Sequence, residues 1–323
     1  MKQCIISSFA LAVLAVLASV SLVTPAFAVV NIGYVDVGNI NNAADSSGYG
    51  AVAYNYKIAK NETTISQYTE FLNAAAKTDN YSLYSTNMSS SGGYTYAAGI
   101  NRSGSSGSYS YAAVAGSGNK PVTFVSWFDA ARFCNWIHNG QGAGNTETGA
   151  YTLLGAMSGI HTKNAGATVW IPSEDEWYKA AYYDATKGGA GGYWPYPTQS
   201  AYLAGHDIGV ANSANYYDNG YVGYPGMTLT DVGAYGANSD SFYGTNDQGG
   251  NVWEWNDATP TGSSRGLRGG AWDSYDLTSS SRYNYVPSSE IYVIGFRVAS
   301  VPEPSCVVLT IFASGMLMTR RKR

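Results

Sequence analysis

The residues of this 323-residue chain that could do chemistry gather between Asp247 and Ala299. Three runs stand out: Asp247-Gln-Gly-Gly-Asn-Val-Trp-Glu-Trp255, Arg265-Gly-Leu-Arg-Gly-Gly-Ala-Trp272 and Gly295-Phe-Arg-Val-Ala299. Asp247 and Glu254 bring carboxylates to a glycine-rich turn, and hard oxygen ligands in a turn suit Ca2+. Alternation along Asn251–Trp255 puts Trp253 and Trp255 on one strand face, Val252 and Glu254 on the other. Arg268 and Arg297 are flanked by apolar residues and are expected to pair with buried carbonyls or with a carboxylate such as Glu254. Thiol and imidazole chemistry is thinly supplied. Cys134 is the only cysteine between residues 29 and 304, since Cys4 and Cys306 lie in the end segments. His138, His161 and His206 are widely separated, and each is expected in a loop or at the surface. No H-E-x-x-H, P-loop or paired-cysteine motif occurs.

The elements that must position these residues are marked by helix caps. Thr64-Ile-Ser-Gln67, Ser126-Trp-Phe-Asp129 and Ser173-Glu-Asp-Glu176 each set a hydroxyl three residues before a side chain that can reach back, the pattern of a capping box. They predict helices over about 65–77, 127–138 and 174–184. The first carries Ile65, Tyr68, Phe71, Leu72 and Ala75 on one face. The second carries Trp127, Ala130, Ala131, Cys134 and Ile137 and stops at Asn139-Gly140. The third turns Trp177, Ala180 and Ala181 inward, and Pro172 keeps the chain extended before its cap. Partial alternation predicts strands at Tyr34–Val37 and within Ala51–Ile58. The Ser/Gly/Tyr-rich segment 85–119 lacks a helical period and is expected to be a surface loop. Residues 185–250 read as further loop. So much loop needs a second means of support besides a thick core, and bound calcium is one.

Both ends read as export signals. Lys2, the apolar run Phe9–Val23 and Ala26-Phe-Ala28 predict a secretory signal peptide over residues 1–28, cut after Ala28. Residues 301–323 contain Pro302-Glu-Pro304, the 13-residue apolar run Cys306–Met318 and the cations Arg320-Arg-Lys-Arg323. That run is shorter than the roughly 20 residues of a stable span, and the cations would hold its far end in the cytoplasm. Residues 29–304 hold 13 Lys and Arg against 22 Asp and Glu, a net charge of −9. Nucleic acid is therefore not an expected partner, because phosphate contacts need clustered cations. With 38 Gly, 28 Tyr and 12% charged residues, the remaining chain is expected to form one irregular, loop-rich domain over residues 29–300.

The tail resembles the PEP-CTERM sorting signal. That resemblance implies a membrane helix before processing and cleavage near Pro302-Glu-Pro304 by exosortase-type sorting machinery. The domain resembles the sulfatase-modifying-factor, or formylglycine-generating-enzyme-like, family. The matching pieces, in order, are Asn61-Glu-Thr-Thr-Ile-Ser-Gln-Tyr-Thr-Glu-Phe-Leu72, Pro121-Val-Thr-Phe-Val-Ser-Trp127 with Ala130, Cys134 and Trp136, Ile171-Pro-Ser-Glu-Asp-Glu-Trp177, Gly250-Asn-Val-Trp-Glu-Trp255, Leu267-Arg-Gly-Gly-Ala-Trp272 and Gly295-Phe-Arg-Val-Ala299. The resemblance implies an α+β, irregular, loop-rich fold of the C-type-lectin-like kind. It also implies a calcium site made by Asp247, the carbonyls of Gly250 and Val252, and Glu254. A second calcium site would begin at Asn215 and Tyr216, with Asp218 or Asp231 completing it.

In the active enzymes of that family, two cysteines five residues apart follow the Arg-Gly-Gly motif and bind copper. Counting from Gly269-Gly270 puts those positions at Ser274 and Ser279. A hydroxyl is a poor ligand where Cu(I) selects thiolates, so copper is not expected. Cys134 matches the family's helix cysteine, but Val298 occupies its partner's position, and Cys134 is expected to be a small buried hydrophobe. The sequence therefore points to an exported surface- or matrix-associated protein. Its calcium-stabilised scaffold would be a non-catalytic structural or ligand-binding module, with 85–119 and 273–294 as contact surfaces for matrix polysaccharide or a surface protein. The alternative is a metal-dependent oxidase related to formylglycine-generating enzyme with an altered site.

Overall fold

All three helices begin at the expected caps in the computed structural model, which describes residues 29–218 and 228–302. The helices are α1 Ile65–Ala75, α2 Trp127–His138 and α3 Glu174–Tyr182. At α1 the Thr64 hydroxyl accepts the Gln67 N–H, while Gln67 Oε1 accepts the Thr64 N–H at 2.9 Å. Ser126 with Asp129 and Ser173 with Glu176 repeat the reciprocal pair. Helix α3 stops short of residue 184 because Tyr183–Asp184 leaves to pair as a strand. Helix α1 buries Ile65, Tyr68, Phe71 and Leu72 as its period requires, but α2 and α3 are buried nearly all round. Their buried sets include Asp129, Arg132 and Asn135, and Glu174, Glu176 and Lys179. Loops wrap the second and third helices, so polar side chains there find partners inside the protein.

The strands, in chain order, are β1 Tyr34–Val37, β2 Tyr56–Ala59, β3 Ile100–Ser103, β4 Ser110–Ala113, β5 Val169–Trp170, β6 Tyr183–Asp184, β7 Gly192–Tyr193, β8 Trp253–Trp255, β9 Arg265–Arg268, β10 Tyr283–Tyr285, β11 Ile294–Gly295 and β12 Ala299–Ser300. One four-stranded sheet runs β1-β2-β12-β5, so the last strand lies between β2 and β5, opposite Ile58 and Trp170. The other runs β10-β9-β8-β11, with β11 parallel to β8 and β10 at the edge. Packed rings fill the space between helices and sheets: Phe133 lies 5.4 Å from Phe296 and 5.5 Å from Phe71, which lies 5.3 Å from Trp136.

Two sequence expectations change. Only Tyr56–Ala59 of the second predicted strand region pairs, residues 51–55 being unpaired chain. Segment 85–119 is more than a surface loop: β3 and β4 form a hairpin with Ile100 and Tyr111 buried. The Asn73 amide of α1 holds it, donating to the Tyr111 carbonyl and accepting the Tyr111 N–H, each at 2.9 Å. The few apolar residues that anchor the hairpin are too sparse among Ser and Gly to show a period. Among the described residues no helix is long and apolar enough to cross a membrane. The apolar runs 9–23 and 306–318 lie outside the described residues.

Candidate functional site

The turn that leads into β8 is fixed by its backbone. Asp247 and Asn251 have φ of 58° and 60°, and Gly250 has φ of 92°. A Cβ on Gly250 would lie 2.2 Å from the Asn215 carbonyl oxygen, so only glycine fits. Gly250 N–H donates to Gly269 O at 2.8 Å, and Asn251 N–H donates to Asn215 O at 2.7 Å. The turn is thereby pinned between the exit of β9 and the Asn215 loop, which brings the two sequence-derived calcium segments together. The Asn251 amide joins them: Oδ1 accepts from Thr230 N and Asn215 Nδ2, while Nδ2 donates to Glu62 Oε1 at 3.1 Å. Asn215 Oδ1 is buried and has no hydrogen-bond donor facing it. Tyr216 is used differently. Its ring stacks on His206 at 4.3 Å and its hydroxyl donates to Ala204 O. Asp218 approaches His206 at 4.0 Å, and Asp231 is exposed.

The carboxylates divide into two pairs. Glu254 and Arg297 are both fully buried and form a two-pronged ion pair, Nε to Oε2 at 2.6 Å and Nη2 to Oε1 at 2.7 Å. Trp177 Nε1 also donates to Glu254 Oε2, at 2.8 Å. Arg297 spends its other donors on the carbonyls of Ala59, Lys60 and Asn246. Glu254 is thus committed to an arginine, as one sequence reading of that arginine required. Arg268 is equally structural, bonded to Glu174 and to the carbonyls of Ser279 and Ser281.

The second pair is Asp247 with Glu62, which the sequence reading did not single out. Asp247 Oδ2 accepts the Gly233 N–H, and its carboxyl is close enough to that of Glu62 for each charge to act on the other. Glu62 is buried, and its Oε2 has no donor facing it. Burial pushes Asp247 up to about 6, against the Gly233 hydrogen bond and the Arg297 charge. Burial and the Asp247 charge push Glu62 well above the usual carboxylate range. Two adjoining buried carboxyls cannot both ionise unaided. They share a proton, or a cation neutralises them. With Arg297 balancing Glu254, the remaining charge of the ionised pair is that of a divalent cation's counterpart. Asp247, Glu62 and the orphaned Asn215 oxygen are donors of the hard-oxygen kind that suits Ca2+, while both oxygens of Glu254 are already engaged by Arg297. Nothing in the sequence marks Glu62, which sits in the polar run Lys60-Asn-Glu-Thr-Thr64 two residues ahead of the helix cap.

The two serine positions are held by different partners. Ser274 folds back on its own turn, its Oγ accepting the Ala271 N–H at 3.0 Å. Ser279 is held through its main chain, its N–H donating to Pro195 O and its carbonyl accepting from Arg268. Cys134 is buried, with its thiol pushed up by burial. Among the described residues no group of three or more His, Cys, Asp and Glu is placed to hold a metal. His138 contacts Thr168 and His161 contacts Thr152 O, so the three histidines stay apart. His206 differs from expectation in being almost covered, because Tyr216 stacks on it.

The two segments expected to offer contact surfaces meet. Tyr94 stacks on Tyr292 at 5.6 Å, and Tyr96 contacts Trp272 at 5.6 Å and Tyr292 at 5.8 Å.

An irregular α+β domain with few helices, two small open sheets and a glycine turn seated on buried carboxylates is the formylglycine-generating-enzyme-like class of fold. The sulfatase-modifying factor enzyme 1-like domain is matched over residues 18–301, and the chain belongs to that family. Among solved structures, CarF is similar in fold, with a TM-score of 0.51 at 20% identity, covering 85% of this chain and 100% of that one. Treponema denticola variable protein 1 gives 0.49 at 18% identity, covering 83% and 95%. PvdO from Pseudomonas aeruginosa gives 0.45 at 18%, covering 84% and 92%. No curated protein matches the chain.

Proposed function

We propose that this protein is an exported, surface- or matrix-associated module that uses a calcium-stabilised formylglycine-enzyme-like scaffold for structure or ligand binding, without catalysis. The observation that carries the reading is the fate of residues 274 and 279. Both are hydroxyls in place of the family's thiols; the Ser274 hydroxyl accepts the Ala271 N–H, and Ser279 is held through its main chain by Pro195 and Arg268. The one thiol of the domain, Cys134, is buried and leaves no thiolate to bind a soft metal. The buried Glu62 and Asp247 pair supports a calcium ion in a structural role. The sorting signals at 1–28 and 301–323 support export to the cell envelope or extracellular matrix, with exosortase-type machinery as the processing partner and the C-terminal helix as a membrane anchor before processing.

The test uses the purified protein with metal analysis, oxygen uptake and thermal melting. Calcium as the bound metal, a lower melting temperature after chelation and no oxygen uptake with a cysteine-containing peptide are expected. Stoichiometric copper or iron with peptide-dependent oxygen uptake would overturn the reading in favour of a metal-dependent oxidase.

A further inference from the structure

One face of the second sheet is left open at its edge. The Trp255 end is covered, with Trp255 Nε1 donating to Val125 O. At the other end β10 presents Tyr283 and Tyr285 on the same side, as residues two apart on a strand must. They are 54% and 39% exposed. Their ring centroids lie 5.6 Å apart, and Trp253 lies 6.0 Å from Tyr283 at a tilt of 44°. With Ile291, Tyr292 and Ile294 behind them, these rings line a cleft of about 310 Å3.

The charge of the lining selects its ligand. Among the described residues, Asp276 is the only acidic side chain lining the cleft, and no Lys, Arg or His does so. An anion finds no counter-charge there, and the domain's negative charge repels acidic polymers. A ligand with flat C–H faces and many hydroxyls matches tilted aromatic rings whose rims carry hydroxyls, with one carboxylate to accept. A docked peptide strand is favoured less. Strand β10 is three residues long and Pro287 follows two residues later, so strand addition would gain few main-chain bonds.

We propose that this cleft binds a neutral glycan, whose sugar rings stack on Tyr283 and Tyr285, with Trp253 backing them, while Asp276 accepts a hydroxyl. The proposal rests on the reading of the protein as a binding module and names its ligand class.

The experiment is calorimetric titration of the full protein with hexasaccharides of glucose, mannose, galactose and N-acetylglucosamine. Anionic alginate oligomers and a tyrosine-rich peptide serve as rival ligands. At least one neutral hexasaccharide is expected to bind. Tyr283→Ala and Tyr285→Ala should each weaken it about tenfold, the scale of one lost ring contact, and Tyr283→Phe should retain most of the affinity. Because both rings are exposed, the melting temperature of the variants should match the parent, which separates lost contact from lost fold. The proposal is overturned if no neutral hexasaccharide binds, if alginate or the peptide binds in their place, or if the tyrosine variants bind unchanged. Oxygen uptake measured in parallel keeps the two readings distinguishable: uptake sinks the binding-module reading, whereas missing glycan binding without uptake sinks only the cleft's assignment.

Discussion

Replacing Arg297 with methionine keeps much of its length but removes every donor. Glu254, which has no solvent exposure, then retains only the Trp177 N–H and no counter-charge. The carbonyls of Ala59, Lys60 and Asn246 lose their Arg297 donor as well. Removing one partner of a buried ion pair costs about 3–5 kcal/mol, and the abandoned carbonyls move the expectation for Arg297→Met to the top of that range. Against a typical domain stability of about 5–15 kcal/mol, the variant should be barely folded or unfolded at 37 °C. Glu254→Gln removes the charge but keeps an acceptor for Trp177, and the double variant should recover part of the loss. A coupling energy of about 2–3 kcal/mol is expected from the cycle. The assay is urea unfolding of all four proteins, with and without a calcium chelator. Since Glu254 serves Arg297 and lies outside the proposed metal set, its cost should survive chelation, whereas Glu62→Gln should lose most of its cost once calcium is removed. A cost below about 1 kcal/mol for Arg297→Met, or a Glu254→Gln cost that vanishes on chelation, would refute this division of the carboxylates.

Two further outcomes follow from the backbone and from burial. Gly250→Ala should destabilise by at least about 2 kcal/mol, because the left-handed φ and the collision with Asn215 O add; Gly262→Ala, at φ 53° with open space around it, should cost only about 1 kcal/mol by the same unfolding assay. Burial, with the nearby Glu290 charge, pushes Asp129 up to about 7 against its hydrogen bonds from Ser126 and the charge of Arg132. The folded protein then holds a proton that the unfolded chain has released, so this contribution favours folding at low pH and is lost as pH rises from about 4 to about 7. Urea midpoints across pH 4–8 should fall more steeply for the parent than for Asp129→Asn; parallel curves would contradict the shift.

Local chemistry was legible in the sequence. A hydroxyl three residues before a reaching side chain specified each helix start at Thr64, Ser126 and Ser173, because a cap is satisfied within one turn. The alternation around Trp253 and Trp255 placed the cleft's back wall on one strand face. The serines at 274 and 279 likewise spoke through residue type alone. The β3–β4 hairpin was not legible, since the amide that holds it belongs to Asn73, 38 residues from Tyr111. Nor was Glu62: its partner Asp247 lies far along the chain, and no spacing rule links an acid before the first helix to a turn before β8.

The sequence by itself determined the family, the helix starts and the lack of a thiol pair, all of which depend on residue types and short intervals. Only the tertiary structure decided that Glu254 pairs with Arg297 and that Glu62 comes beside Asp247. That choice turns on the distances between side chains brought together by a last strand threaded into the middle of the first sheet. It also decided that Tyr283 and Tyr285 stay open at an edge while Trp255 is covered, because burial is a property of what the rest of the chain lays over a strand.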